Sequence, residues 1–501
     1  MLVHIWNIYV SNASPQFADP APKLADPSLL KSRCLVNGDW VAAASGETFD
    51  VTNPADSSRV GQVPSMSPDE IPAVIESARI AQADWAAWTA KARSAVLRRW
   101  FELIMSHIDD LALILTREQG KPLAEARAEI AYAASFVEWY AEEAKRIYGD
   151  TIPAPHAGQR ITVLRQPVGV TAAITPWNFP AAMVTRKAAP ALAAGCSMIL
   201  RPADLTPLTA LALAELACRA GVPAGVLQVV TGSAREIGQV LTDSPVVRKL
   251  SFTGSTEVGR LLMAQCAGSI KKLSLELGGN APFIVFDDAD LDAAVDGAMA
   301  AKFRNAGQTC VCANRLLVQR GVHDEFTEKL AARMAALEVG PGETPGIHIG
   351  PMIERKALDK IDEHIGDALA KGARLAQGGR RLGGLMMEPA LLVGVTSEMR
   401  VAQEETFGPL APIFAFDTEE EAIAMANDTI YGLAAYFYTD SHARTVRVSE
   451  ALEYGMVGHN TGLISNEVAP FGGIKQSGLG SEGSRYGLLE YLEMKYLCSA
   501  H

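Results

Sequence analysis

The chain has 501 residues, 49% hydrophobic and 20% charged, with a formal net charge of −12. This length exceeds one ordinary core and predicts about two or three domains of a soluble globular protein. The negative charge repels phosphate backbones and anionic lipids, which argues against nucleic acid or a membrane surface as a partner. Seven cysteines, few and odd in number, predict reduced thiols in a cytoplasmic protein.

The first 148 residues predict a tail followed by three helices. Residues 1–30 are rich in Pro, Ala, Ser and Asp without any period, which predicts a loose tail. The first helix begins with a capping box at Ser67–Glu70. Apolar positions at helical spacing predict the other two helices across Leu97–Leu111 and Phe136–Ala141.

Short apolar runs then alternate with helical stretches such as Leu208–Arg219 and Glu236–Thr242. The apolar runs are Gly169–Thr175, Ser197–Leu200, Val226–Val230, Lys249–Thr253 and Leu273–Leu277. Apolar strands separated by helices are typical of a parallel sheet covered on both faces. The pattern predicts an α/β fold whose Rossmann-like, parallel-sheet cofactor domain comprises residues 31–148 and 168–277.

A second α/β domain is predicted over residues 278–470, and we expect it to be catalytic. Its predicted strands and helices are Phe283–Phe286, Leu291–Phe303, Arg315–Val318, Glu325–Leu337 and Ala390–Val395.

The residues from Gly254 to Gly259 follow a predicted strand and open a helix. Backbone N–H groups at such a helix start can bind a phosphate, although a plain strand-to-helix turn has the same pattern. No G-x-G-x-x-G follows any of these strands.

Three polar side chains are candidates for chemistry. Cys310 follows a small polar turn, where it is either an exposed nucleophile or a buried structural thiol. Glu276 ends an apolar strand, where burial would raise its pKa toward that of a general base unless an ion pair satisfies it. Asn178 follows another strand end, where its amide can donate to an oxyanion. The scattered histidines and isolated cysteine pair predict no metal site.

Four motifs in order resemble the aldehyde dehydrogenase superfamily, and the resemblance extends from about Leu35 to Leu497. They are Thr-Pro-Trp-Asn-Phe-Pro (175–180), Leu-Glu-Leu-Gly-Gly-Asn (275–280), Gly-Gln-Thr-Cys (307–310) and Glu-Glu-Thr-Phe-Gly-Pro (404–409). The resemblance implies that the Cys310 thiolate attacks an aldehyde and that Asn178 and the Cys310 N–H hold the oxyanion. Hydride then passes to NAD(P)+, and Glu276 activates the water that hydrolyses the thioester.

The resemblance also implies the cofactor contacts. Trp177 and Ser255 are expected near the phosphates, Glu405 at the nicotinamide ribose and Phe407 at its ring. The remaining expected contacts are Arg201, Asp204, Gly254, Thr256 and Gly259.

Within the superfamily, residues 303–315 and 462–466 are most similar to the succinate-semialdehyde dehydrogenase branch. This similarity implies that Arg186, Arg304 and Ser465 hold the carboxylate of a short acid semialdehyde, with structural ion pairing as the alternative for the arginines. Glutarate semialdehyde, another aldehyde, or a non-catalytic binding role are the competing interpretations.

Several further expectations follow from the resemblance. Arg201 favours NADP and Asp204 favours NAD, with a slight preference for NAD. Cys312 would form a redox-switch disulfide with Cys310, unless it is a passive thiol. A small β arm, residues 149–167 and 471–501, would assemble a homodimer or homotetramer. His459, where the branch usually has an aliphatic residue, has no explanation from sequence.

Overall fold

The computed structural model describes residues 23–501 of the chain. Within that range the strands form an eight-stranded sheet, a seven-stranded sheet, a three-stranded sheet and two two-stranded ribbons. None of the helices in these residues is long and apolar enough to cross a membrane.

The helices and strands alternate along most of the chain. Residues 23–148 contain β1 (Cys34–Val36), β2 (Asp39–Val41), β3 (Thr48–Thr52), β4 (Arg59–Pro64), α1 (Ile71–Ala87), α2 (Ala90–Ser106), α3 (Ile108–Gln119) and α4 (Leu123–Glu143). Residues 149–276 contain β5 (Asp150–Ile152), β6 (Gln159–Pro167), β7 (Val170–Ile174), α5 (Ala182–Ala194), β8 (Ser197–Arg201), α6 (Leu208–Ala220), β9 (Leu227–Val229), α7 (Ala234–Asp243), β10 (Val247–Thr253), α8 (Thr256–Ala267) and β11 (Lys272–Glu276).

The remaining elements follow. They are β12 (Ala281–Val285), α9 (Leu291–Phe303), β13 (Ala313–Gln319), α10 (His323–Ala335), α11 (Arg355–Ala370), β14 (Arg374–Gln377), β15 (Arg381–Gly383), β16 (Met386–Met387), β17 (Ala390–Val393), α12 (Arg400–Gln403), β18 (Leu410–Phe416), α13 (Glu419–Asn427), β19 (Ala434–Tyr438), α14 (His442–Ala451), β20 (Met456–His459), β21 (Gly478–Leu479), α15 (Ser484–Leu489) and β22 (Leu492–Ala500). Short 3-10 turns lie at Pro27–Leu29, Pro68–Glu70, Ala144–Arg146, Arg304–Gly307, Arg320–Val322 and Lys475–Ser477.

The eight-stranded sheet has the order β2-β1-β9-β8-β7-β10-β11-β21, and its five strands from β9 to β11 are parallel. Successive residues of β8 enter different apolar cores, Met198 and Leu200 on one face and Ile199 on the other. Both faces of the strand are therefore buried, which explains why its sequence is continuously apolar rather than alternating. The predicted α/β class is confirmed.

The seven-stranded sheet has the order β14-β17-β18-β13-β12-β19-β20, and only β14 is antiparallel to its neighbour. The third sheet, β22-β6-β5, is antiparallel. The last segment of the chain is thus divided, because β21 pairs with β11 in the first sheet whereas β22 pairs with β6.

Two expectations for the amino-terminal part were wrong. The segment Leu97–Leu111 is two helices, because His107 leaves the helical conformation (φ −112°, ψ 21°) and α3 begins after it. Residues 23–30, the described part of the predicted tail, are held to the fold: Leu29 is fully buried, and the backbone N–H groups of Ala25 and Asp26 donate to Asp110. The rest of that tail, residues 1–22, lies outside the described residues.

Candidate active site

The carboxyl edge of the eight-stranded sheet gathers the polar side chains predicted from the sequence. The parallel register pairs Thr253 of β10 with Glu276 of β11, so these strands end level. Asn178 follows β7 and Ser255 follows β10. Because the carboxyl ends of parallel strands share one edge, these residues border one crevice.

Cys310 reaches this crevice from the other large sheet, since it lies just before β13. The segment between β11 and β12 joins the two sheets and passes directly beside it. A Cβ on Gly279 would lie 2.4 Å from the Cys310 carbonyl oxygen, so this approach requires glycine. The Leu-Glu-Leu-Gly-Gly-Asn motif therefore places Glu276 three residues before the glycine that approaches the Cys310 backbone.

The turn before Cys310 is conformationally strained. Asn305, Ala306 and Gly307 have φ values of 52°, 54° and 74°, all in the left-handed region. Such a conformation costs about 1–3 kcal/mol at a non-glycine residue and persists only where the surroundings impose it. Here the Glu125 Oε2 accepts from the Asn305 N–H at 2.8 Å, and Asn305 Nδ2 donates to the Gln308 carbonyl at 3.1 Å.

The Cys310 side chain is partly exposed. Its largely buried surroundings raise the pKa of the thiol to about 12; the Glu405 and Glu276 carboxyls add to this rise, and Arg186 and Arg304 oppose it. The thiol is therefore protonated at neutral pH, and nucleophilic attack requires a group that accepts its proton.

Glu276 is the candidate for such a group. Its side chain is 1% exposed, and neither carboxyl oxygen has a hydrogen-bond partner within residues 23–501. Burial and the nearby Glu482 carboxylate raise the pKa of Glu276 well above its usual range, although Arg186 and Lys187 oppose this rise. An unpartnered carboxyl with a raised pKa is what a general base near neutral pH needs. The alternative, an ion pair that satisfies this glutamate, does not occur in the described part of the chain.

Asn178 is buried and directed at the same turn as Cys310. Its Nδ2 donates to the Gln308 carbonyl at 3.1 Å, two residues before the cysteine. An amide carries two N–H donors, and this bond uses one of them.

Two charged residues next to Glu276 were not found from the sequence. Lys187, on α5, donates to Glu482 and to Ser251 Oγ at 3.1 Å, and all of these residues are buried. An available signal was the pair of adjacent cations, Arg186 and Lys187, in a helix that is otherwise apolar apart from one threonine. Glu482 has no comparable signal, because it lies in a polar, glycine-rich segment.

The two arginines expected to hold a substrate carboxylate differ. The Arg186 guanidinium lies 2.9 Å from a Glu482 carboxyl oxygen and 3.9 Å from the centre of the Phe471 ring. Arg304 has no ion-pair or hydrogen-bond partner for its side chain in residues 23–501; it lies over the ring of Phe179, 5.3 Å from its centre. Structural ion pairing, the alternative for both, therefore occurs at Arg186 alone.

Ser465, the third expected carboxylate contact, is half-buried in the segment between β20 and β21.

The start of α8 fits a phosphate-bearing cofactor. The Ser255 side chain caps this helix by accepting from the Val258 N–H at 3.3 Å. Gly254 joins β10 to this cap, and the missing side chain of Gly259 lets α8 approach Leu277, which a Cβ would meet at 2.4 Å. The Thr256 hydroxyl donates instead to the Gln476 carbonyl. The helix start is thus a positively polarised site at the crevice.

A second set of residues fits a nicotinamide nucleoside. Trp177 and Phe407 are in edge-to-face contact, with ring centres 5.6 Å apart. The Glu405 Oε1 accepts from the Gly279 N–H at 3.2 Å, and burial raises the pKa of that carboxyl to about 7. A carboxylate accepts hydrogen bonds through both oxygens, so Glu405 can bind the hydroxyls of a ribose. No cluster of three His, Cys, Asp or Glu suited to a metal occurs within the described residues.

Comparison with known proteins identifies the family of this chain. The model of the aldehyde dehydrogenase family matches residues 40–497. The chain belongs to that family. A succinate-semialdehyde dehydrogenase of Escherichia coli, named for NADP(+), is 63% identical over 95% of this chain and 99% of its own length. A glutarate-semialdehyde dehydrogenase of Pseudomonas putida is also 63% identical, with the same coverage. The crystal structure of a Brucella melitensis aldehyde dehydrogenase is 73% identical, with a TM-score of 0.95 over 95% of this chain and 99% of its own.

In this aldehyde dehydrogenase, the residues with opposite cofactor preferences form a pair. Arg201 donates to the Asp204 carboxylate and to the Gly232 carbonyl at 2.6 Å. The Arg201 side chain is 4% exposed, whereas that of Asp204 is 49% exposed. The cation is therefore paired through one nitrogen, Nη2, and covered from solvent, whereas the carboxylate is the group that faces solvent.

The proposed redox partner of the cysteine has another contact. Cys312 is fully buried and accepts from Lys302 Nζ at 3.3 Å, and burial raises the pKa of its thiol. Both Cys310 and Cys312 are free thiols, and a disulfide between them stays a prediction.

His459 now has a structural explanation. Its ring stacks on Phe437 with centres 4.9 Å apart, and its Nε2 lies 3.2 Å from both the Thr445 hydroxyl and the Thr439 carbonyl. His459 therefore links the end of β20 to α14 by a hydrogen bond, whereas an aliphatic side chain could contact α14 only by packing.

Proposed function

We propose that this aldehyde dehydrogenase oxidises a short acid semialdehyde, succinate semialdehyde first, to the dicarboxylic acid with NAD(P)+. The main support for this reaction is the Glu276 carboxyl, which is buried and has no hydrogen-bond partner in the described residues. It is close enough to Cys310, whose side chain is partly exposed, to help raise the pKa of that thiol. The unpaired Arg304 supports an anionic substrate, since a guanidinium binds a carboxylate through two charge-assisted hydrogen bonds.

The chemistry begins at sulfur. Cys310 Sγ gives its proton to a base and attacks the aldehyde carbon, and the carbonyl electron pair moves to oxygen. Asn178 Nδ2 and the Cys310 N–H donate to this oxyanion. The oxidised nicotinamide, when bound, supplies the hydride acceptor, and Trp177, Ser255, Glu405 and Phe407 are the residues that would hold it.

The second half-reaction releases the product. Once the carbonyl re-forms, the substrate is a thioester on Cys310. Glu276 takes a proton from water, the water oxygen attacks the thioester carbon, and the C–S bond breaks to give the acid and the thiolate. The carboxylic acid left on Glu276 must pass its proton on before the next cycle.

Cofactor preference follows from the Arg201–Asp204 pair. Because Asp204 is the exposed partner, it can accept hydrogen bonds from the adenine ribose and repel a 2′-phosphate. This environment favours NAD, whereas the Escherichia coli relative is named for NADP(+).

Glutarate semialdehyde is a second candidate substrate. The Pseudomonas putida relative that bears that name is as similar to this chain as the succinate-semialdehyde enzyme. One extra methylene changes binding by only about 1–3 kcal/mol in a hydrophobic pocket. Both substrates can therefore be turned over.

The test measures kcat/KM for succinate semialdehyde, glutarate semialdehyde and butanal, each with NAD and with NADP. Turnover is monitored through the absorbance of the reduced nicotinamide. We expect the two acid semialdehydes to exceed butanal by at least about tenfold, the value of one charge-assisted contact. Equal values for all three aldehydes would contradict the anionic substrate, and no turnover of any would contradict the enzyme.

We also propose the domain division predicted from the sequence. We further propose that the protein assembles as a homodimer or homotetramer through residues 149–167 and 471–501. The assembly is supported by β22, an edge strand with exposed Met494, Tyr496 and Leu497, since an uncovered apolar edge strand favours pairing. Light scattering of the purified protein tests this, and a monomer would contradict it.

A further inference from the structure

A fully buried ion pair lies behind the crevice, outside the groups that perform the reaction. Lys121 Nζ, just before α4, lies 2.5 Å from Glu129 Oε2, and each side chain is only 1% exposed. Taking two charges out of water costs several kcal/mol per ion before their attraction is counted. A pair in this position therefore needs further partners to be retained.

Those partners are backbone groups of Asn178 and of the helix start that follows it. Lys121 Nζ donates to the Asn178 carbonyl oxygen at 2.8 Å. Glu129 Oε1 accepts from the N–H groups of Ala181 and Ala182, at 2.9 and 3.3 Å, where α5 begins. One pair thus holds both the carbonyl of Asn178 and the helix start that follows it.

The same carbonyl is tied to the cysteine turn. Asn305 Nδ2 donates to the Asn178 carbonyl at 2.9 Å and to the Gln308 carbonyl at 3.1 Å. The Asn178 side chain donates to that same Gln308 oxygen. Moving the Asn178 backbone would therefore shift its amide relative to the turn that leads to Cys310.

We propose that Lys121 and Glu129 are positioning residues that fix the Asn178 amide against the Cys310 turn. This inference rests on the proposed function of Asn178 as the oxyanion donor. Neither residue contacts the reacting atoms. They affect turnover only through the position of the Asn178 side-chain amide. A displacement of about 1 Å in such a group can lower the rate roughly 100-fold.

The chain offers a matched control in Glu118, at the end of α3. It is also fully buried, and its two carboxyl oxygens accept from the Leu208 and Thr209 N–H groups at 2.7 and 2.8 Å. It thus caps α6 much as Glu129 caps α5, but it forms no hydrogen bond with Asn178 in the described structure. A substitution at Glu118 should therefore reduce stability about as much as one at Glu129, without moving the Asn178 amide.

The experiment compares Lys121→Met, Lys121→Arg, Glu129→Gln and Glu118→Gln as full-length enzymes, well below each melting temperature. For Lys121→Met and Glu129→Gln we expect kcat to fall about 10- to 100-fold, with KM for the cofactor unchanged. Lys121→Arg keeps a donor and should recover most of kcat. Glu118→Gln should lower the melting temperature and leave kcat within about twofold. The rate of Cys310 alkylation by iodoacetamide should remain unchanged in all four.

A double-mutant cycle with Asn178→Ala separates this inference from the function on which it rests. If Asn178→Ala alone leaves kcat intact, the oxyanion role fails. If it lowers kcat and Lys121→Met then adds no further loss, Lys121 acts through Asn178, as proposed. Should the two losses multiply, or should Glu118→Gln reduce kcat as much as Glu129→Gln, the positioning role is overturned. If Lys121→Met does not fold, the cycle is run with Glu129→Gln.

Discussion

The regions around Arg186 and Arg304 contain the same side chain and were predicted to have the same role, yet their surroundings differ. Arg186 is buried beside Glu482, with Lys187 bound to the same carboxylate. Arg304 lies on an aromatic ring and forms no ion pair within the described residues. A guanidinium that faces a buried carboxylate, as that of Arg186 does, contributes to the field around Glu276, although its Nε and Nη2 have no hydrogen-bond partner within the described residues. One without an ion-pair partner is available to a negatively charged substrate.

The largest effect on turnover is expected at Glu276, the proposed general base beside Arg186. Glu276→Gln should lower kcat by about 100- to 10,000-fold, the usual contribution of a general base. Because the pKa of Glu276 is raised, the wild-type base is protonated at low pH, and kcat should rise with pH toward the alkaline side. A pH profile of kcat checks this, and an unchanged kcat in the variant would exclude the base role.

The same substitution has a signed effect on stability. The unfolded chain releases the Glu276 proton near pH 4.5, whereas the folded protein retains it to higher pH. The wild type should therefore lose stability as pH rises from that value toward the folded pKa. Glu276→Gln should remove that loss, and melting temperatures between pH 5 and about 9 test this.

Next in size is the removal of the anion that distinguishes the Arg186 region. Glu482→Gln leaves Arg186 and Lys187 buried without a carboxylate, and we expect a loss of about 3–5 kcal/mol in unfolding free energy. Urea denaturation measures it. Glu388→Gln, in the exposed pair with Arg380, is the control and should change stability by less than about 1 kcal/mol. If Glu482→Gln and Glu388→Gln lost the same unfolding free energy, the buried ion pair would contribute no more to stability than the exposed one.

A smaller, selective effect is expected at the unpaired cation. Arg304→Ala should raise KM for succinate semialdehyde about 10- to 100-fold, because one charge-assisted contact is worth about 1.5–3 kcal/mol. KM for butanal should stay within about twofold, and stability should change little. Steady-state kinetics with both aldehydes decides the matter: equal losses on the two substrates would refute the carboxylate role.

The smallest effect is expected in a third arginine environment, at Arg201. Asp204→Ser removes its exposed carboxylate partner, which frees the cation and ends the repulsion of a 2′-phosphate. We expect kcat/KM with NADP to rise about tenfold relative to NAD, the value of roughly 1.4 kcal/mol. If the ratio is unchanged, Asp204 does not govern cofactor choice.

Local patterns carried much of the fold. The apolar runs that predict β7 to β11 agree with the observed strands to within two residues at each end, because strands buried on both faces must be continuously apolar. The break at His107 was not predicted, since the apolar spacing continues across it. The packing of Leu29 was also missed, because its partners are remote in sequence.

The sequence by itself determined the α/β class, the order of the motifs and the candidates Cys310, Glu276 and Asn178, because strand ends and short motifs are local features of the chain. Only the tertiary structure decided which charges have partners. The buried pair Lys121–Glu129 and the cluster of Glu482 with Arg186 and Lys187 join segments that meet only in the folded chain. Burial and the nearest opposite charge set the energy of an ionised group, and both depend on which segments the fold brings together.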